Sequence, residues 1–203
     1  STWNAADWLP LIAPSRVREP AHRGFPKEMD LADIRRVIDY YAAAAARCRE
    51  AGLDGIEVMQ NGHLPGQFLS PHTNQRTDGY GGKALRGRAR LLLETLGAVR
   101  NAVGEDYPIT VSLSGYERSP GGHEMNESQR LAQMLVEAGA SAFRISGGST
   151  DGLVSQMVMG SDYPDGINVT AAESIKRVVD VPVMVVGRIH TPEHAQQILE
   201  QGQ

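Results

Sequence analysis

The stretch Gly52-Leu-Asp-Gly-Ile-Glu-Val-Met59 joins the end of a helix to the start of a strand. Gly52 can end a helix in a left-handed turn, and Gly55 opens a short apolar run with β-branched residues that reads as a buried strand. The helix before it is predicted from Asp30 to Gly52. Asp30 can cap it, Asp33 stands three residues on, and Ile34, Val37, Ile38, Tyr41, Ala45 and Cys48 form its apolar stripe. Helix then strand is therefore the unit, and it recurs three times. A helix near 89–103 precedes Ile109-Thr-Val-Ser-Leu113, one near 127–138 precedes Ala142-Phe-Arg-Ile145, and one near 171–179 precedes Val183-Met-Val-Val186. A last helical stretch runs from Pro192 to Gln201.

Short strands separated by helices argue for a parallel α/β sheet, because parallel neighbours need a long return connection. The alternation fits both a closed (β/α)8 barrel and an open doubly wound sheet. The lack of a Gly-x-Gly-x-x-Gly turn weighs only slightly against the second. The irregular segments say more. Residues 61–82, 115–126 and 147–170 all follow the C-terminal end of a strand, while the helix-to-strand links are brief. A barrel that builds its site on the βα loops has this asymmetry. Residues 1–29, with four prolines, two tryptophans and no periodicity, read as an extended loop that borders a site.

Composition narrows the function. At 203 residues and 41% hydrophobic content the chain fits one domain with a sizeable core. A net charge of -4 with the signs mixed offers no basic stripe for nucleic acid. No run of about 18 apolar residues occurs and the start lacks the pattern of a signal peptide, so a soluble cytoplasmic protein without a membrane partner is expected. The single cysteine, Cys48, excludes an internal disulfide and reads as a buried structural residue. The six histidines are scattered singly, and no catalytic metal is expected.

The long motif around the first strand is similar to the signature of a known family. Gly52 to Val58 is followed by Asn61-Gly-His-Leu64, by Gln67-Phe-Leu-Ser-Pro-His-Thr-Asn-Gln-Arg-Thr-Asp-Gly-Tyr-Gly-Gly82 and by Arg88-Ala-Arg90. Together they resemble the old yellow enzyme family. Ala13-Pro-Ser15, Pro26-Lys-Glu-Met29, Val185-Val-Gly-Arg-Ile189 and Thr191-Pro-Glu-His-Ala195 extend the likeness over nearly the whole chain. The resemblance implies a TIM (β/α)8 barrel, of which residues 1–203 supply strands four to seven with their helices. Residues 1–29 would form the bordering loop and 30–203 the four helix–strand units. Half a barrel leaves open edges and an unfilled interior, so a fragment of a longer enzyme or a damaged gene product is expected.

The resemblance also implies FMN across the C-terminal mouth of the barrel and NAD(P)H as hydride donor, with a small-molecule acceptor such as an enone or enoate. Gly187 and Arg188 match the turn after strand seven that helps bind the flavin phosphate. Asn61 and His63 stand where the family has a substrate-binding asparagine or histidine and, two residues on, a tyrosine. An imidazole can take over proton donation. The Gly-His-Leu form also resembles a branch associated with oxidative demethylation of N-methylated amino acids, in which hydride leaves an N-methyl carbon. Two departures stand out. The family's first histidine of this motif has no match, with Met59 and Gln60 filling a segment one residue short. The strand-five arginine expected under the flavin is Ser112, which cannot serve as its counter-charge. These departures leave a non-catalytic remnant as a further reading. Tyr116, Glu117 and His123 are candidates to line the substrate space. Arg144 needs a partner, either an acidic group of substrate or cofactor, or Glu57. Arg76, Asp78 and Tyr80 are expected to fix their loop. A homo-oligomer is compatible with the sequence.

Overall fold

The structure, a computed structural model, describes residues 11–18, 24–148 and 160–203. Helix α1 (Leu31–Glu50) begins as its sequence predicts. Asp30 accepts from the Asp33 N–H at 2.8 Å, and the Asp33 carboxylate accepts from the Asp30 N–H at 3.3 Å. This reciprocal cap satisfies two donors that the first turn would otherwise leave orphaned. Lys27 pairs with Asp33 at 2.6 Å and holds its carboxyl below the usual carboxylate range.

Beyond α1 the chain forms β3 (Ile56–Met59), α2 (Leu64–Leu69), α3 (Leu85–Val103), β4 (Ile109–Ser114), α4 (Met125–Glu137), β5 (Ala142–Ser146), α5 (Val169–Lys176), β6 (Val183–Val185) and α6 (Pro192–Glu200). Before α1, β1 (Ile12–Ala13) pairs in parallel with β2 (Lys27–Glu28). The sheet order is β3-β4-β5-β6, every pair parallel. A doubly wound sheet reverses its order at a switch point and carries helices on both faces. Here the order is strictly sequential, and α3, α4 and α5 pack on one face.

Strand alternation explains that asymmetry. Ile109, Val111, Leu113, Phe143 and Ile145 point to the outer face and are fully buried against Leu92, Leu96, Leu131, Leu135 and Ile175 of α3, α4 and α5. The opposite, inner face carries Glu57, Met59, Thr110, Ser112, Ser114, Arg144, Ser146 and Met184, which share alternate register positions. No helix covers it among the described residues, and Met59 and Met184 are 40% and 45% exposed.

One expectation needs correction. Residues 61–82 are not wholly irregular, since they contain α2, whose Pro65 lies in the first turn where its missing N–H costs nothing. Phe68 of α2 is buried with Met29, Ile34, Tyr80 and Leu91 in a second small core under α1 and α3. The described part of the loop expected at 1–29 is held in place. Arg76 donates to the carbonyls of Pro14 and Met29 at 3.1 and 2.6 Å, and the Gln75 N–H donates to Ser15 Oγ at 2.9 Å. These bonds clamp it to the 61–82 segment. Residues 1–10, 19–23 and 149–159 lie outside the described residues, including much of the loop expected at 147–170.

Candidate functional site

The C-terminal ends of β3 to β6 form one rim, and four loops leave it. On the loop after β3, Asn61 Nδ2 donates to Ser146 Oγ at the end of β5, at 2.6 Å. Its Oδ1 is buried without a hydrogen-bond partner among the described residues. His63, two residues on, precedes α2, makes no side-chain cap and is exposed. The backbone that carries them is pinned by Gln60, whose side chain accepts from the Ser114 N–H at 2.8 Å. The sequence pair Asn61 and His63 is therefore brought to one rim, with Ser146 as a neighbour that the sequence did not single out.

Below the rim, Ser112 is buried on the inner face and accepts from Arg144 Nη2 at 2.9 Å. Arg144 also grips Glu57 through Nε and Nη2 at 2.7 and 2.6 Å. Of the two partners open to Arg144 from the sequence, Glu57 is the one the structure supplies. The pairing raises the guanidinium above its ordinary pKa.

The loop after β4 departs from expectation. His123 and Glu117 do not line an open space: both are buried, at 2% and 5% exposure. Glu117 accepts from the His123 N–H at 3.0 Å and from Ser70 Oγ at 3.1 Å. His123 Nε2 meets Ser128 Oγ at 2.6 Å, and Nδ1 lies 3.3 Å from Glu127, an ion-pair distance rather than a good hydrogen bond. Arg88 Nη2 donates to the other Glu127 oxygen at 2.5 Å. His123 first, then Arg88, hold the Glu127 carboxyl down to about 2. Burial won over the sequence reading because each group finds an internal partner. Tyr116 stays half-buried with the Arg118 guanidinium 4.9 Å from its ring centre.

At the end of β6, Gly187 adopts φ +133 and Arg188 φ +54. A Cβ on Gly187 would lie 2.5 Å from Asn168 Nδ2, so conformation and space both demand glycine. Arg188 donates to Gly160 O at 2.8 Å and pairs with Asp165 at 2.7 Å. Its Nε is buried without a hydrogen-bond partner among the described residues. A bare backbone beside an unsatisfied cationic donor suits an anion such as a phosphate.

Asn168 is the residue that sequence reasoning missed. It is 1% exposed, donates to Val186 O at 2.7 Å and accepts from Arg118 Nη2 at 2.5 Å, and so ties together the loops after β4, β5 and β6. An asparagine just ahead of a helix reads as a cap. Here its side chain makes no capping bond and turns to the loops instead. Among the described residues no group of three or more His, Cys, Asp or Glu could hold a metal, and no helix is long and apolar enough to cross a membrane.

Comparison with known proteins adds to this geometry. A family model described as NADH:flavin oxidoreductase / NADH oxidase matches residues 10–203. The chain is 39% identical over 194 residues to a metal reductase of Desulforamulus reducens, covering 95% of this chain and 29% of that protein. It is 36% identical over 199 residues to a multifunctional alkene reductase/demethylase OYE of Caballeronia cordobensis, covering 96% of this chain and 29% of that protein. A solved 2-naphthoyl-CoA reductase in complex with 2-naphthoyl-CoA superposes with a TM-score of 0.84 at 30% identity, over 95% of this chain and 29% of that one. The chain thus spans less than a third of the length of these relatives.

Proposed function

The chain belongs to the NADH:flavin oxidoreductase / NADH oxidase family, and from that membership we propose that it carries part of an FMN site that uses NAD(P)H to reduce an activated alkene, an enone or enoate. The family brings a flavin and a nicotinamide as cofactors. The residues fit the flavin at one end, where Gly187 and the Nε of Arg188, unsatisfied among the described residues, would hold its phosphate. FMN, when bound, supplies a carrier that accepts a hydride from NAD(P)H and passes it to the acceptor.

The observation that carries the reading is the exposed imidazole of His63 two residues from the half-buried amide of Asn61 on one rim. In this proposal Asn61 orients the acceptor, with Ser146 fixing the amide. His63 delivers the proton to the carbon opposite the hydride, the service of a positioned general acid. A cytoplasmic setting belongs to the same proposal, supported by its need for a nicotinamide pool. The test is an absorption spectrum after FMN loading and desalting, followed by turnover of an enone with NADPH or NADH. His63→Ala should lower turnover about 10²-fold or more while flavin reduction stays intact. A protein that remains colourless, or an unimpaired variant, overturns the reading.

A second reading has its own observation. Asn61 Oδ1 is a buried acceptor without a donor among the described residues, which suits the N–H of a protonated N-methyl amine as it binds. Once that proton has passed to solvent, the nitrogen lone pair would drive the hydride from the N-methyl carbon to the bound flavin, and water adds to the resulting iminium to release formaldehyde and the demethylated amine. Anaerobic bleaching of the bound flavin by an N-methyl amino acid, with formaldehyde released, selects this reading; bleaching by NADPH alone selects the first.

A further inference from the structure

Glu57 and Arg144 are the only charged side chains on the inner face of β3 to β6 among the described residues. Their placement along the strands is unequal. Arg144 shares a row with Met59, Ser112 and Met184, one step beneath the rim row of Ser114 and Ser146. Glu57 shares the next row down with Thr110, about 7 Å deeper at the usual strand rise. The guanidinium is held by Glu57 and Ser112, while its Nη1 has no hydrogen bond among the described residues. Of the two charged residues, the arginine is rooted in the row nearer the rim and the glutamate in the row below it.

We propose that this pair tunes the flavin, Arg144 supplying positive potential beneath an FMN held across the rim and Glu57 limiting it. The inference rests on the flavin reading above. A two-electron-reduced flavin carries more negative charge at neutral pH than an oxidised one, so a cation beneath it favours reduction. Ser112 contributes no charge of its own and instead steers the guanidinium of the neighbouring strand to its place. Removing Glu57 frees the cation and removing Arg144 leaves only the carboxylate. The two losses therefore act in opposite directions, whereas a pair that merely stabilises the sheet would show the same direction for both.

The experiment measures the midpoint potential of bound FMN in the wild-type protein and in Arg144→Met, Arg144→Lys and Glu57→Gln, by equilibration with reference dyes. Arg144→Met should lower the reduced-to-oxidised ratio at fixed poise at least tenfold, and Glu57→Gln should raise it at least threefold; tenfold is about 30 mV for a two-electron couple. Arg144→Lys, which keeps the charge, should stay nearer the wild type than Arg144→Met. Shifts in the same direction, or no shift in either, overturn the inference. If Arg144→Met does not fold, Glu57→Gln still decides, since an unchanged or lowered potential there sinks it. A wild type that holds no FMN removes the flavin reading and this inference together. A wild type that holds FMN but shows no opposing shifts removes this inference alone.

Discussion

Glu127 shows how a single carboxyl couples the loop after β4 to the helices. Its folded pKa of about 2 lies below the ordinary 4.5, through His123 and then Arg88. A lowered acid contributes stability that is complete above about pH 4.5 and is lost as pH falls through about 2. Glu127→Gln should therefore cost on the order of 2 kcal/mol at pH 7, seen as a lower Tm, and should flatten the fall in stability between pH 4.5 and 2. Calorimetric scans across that range check it, and an unchanged acid limb in the variant counts against it. The Glu57–Arg144 pair was half legible beforehand: an arginine within a strand needs an acidic partner, and Glu57 stood as one of two open to it until the fold brought them together. Asn168 was not legible, since its partners Arg118 and Val186 are 50 and 18 residues away and only the folded rim brings them to it. The burial of His123 was hidden for the same reason: a polar loop of that composition reads as solvated until Glu117, Ser128 and Glu127 are seen around it.

The helices and strands divide by how much of their signal is local. α1 could be read to its cap because Asp30, Asp33, the apolar stripe and Gly52 all lie within the element. The strands β3 to β6 announced themselves as short β-branched runs, with ends within a residue or so of those observed. α2 escaped because six residues containing Pro65 and Gly66 have poor helix propensity, and tertiary packing of Phe68 and Leu69 outweighs it. That packing is tight at one point. A Cβ on Gly66 would lie 2.5 Å from the Gln60 carbonyl oxygen, a backbone atom that cannot swing aside. Gly66→Ala should destabilise the protein by roughly 1–3 kcal/mol in urea unfolding. Because Gln60 pins the rim through Ser114, the same variant should weaken FMN retention on desalting. Wild-type unfolding and retention would show that α2 has room to shift.

Taken as a molecule, the protein has one finished face and one unfinished face. The outer side of the sheet is sealed by α3, α4 and α5, whereas Met59, Met184 and Val186 remain 38% to 45% exposed on or beside the inner side. β3 and β6 also present unpaired strand edges among the described residues, which invite further pairing. The 203-residue chain by itself should therefore self-associate, and Met59→Lys with Met184→Lys should shift light scattering toward the monomer without loss of helical dichroism. A monodisperse monomer without those changes would mean that the inner face is covered by something in the chain. The strictly sequential order β3-β4-β5-β6 bears also on how the polypeptide comes to be folded. Each strand docks on the one synthesised just before it, so every pairing becomes available as soon as the next helix has left the ribosome. The growing edge is always the newest strand, and a translational pause after α4 or α5 would leave a partial sheet with one helix layer already in place, its inner face bare and its newest edge awaiting the next strand.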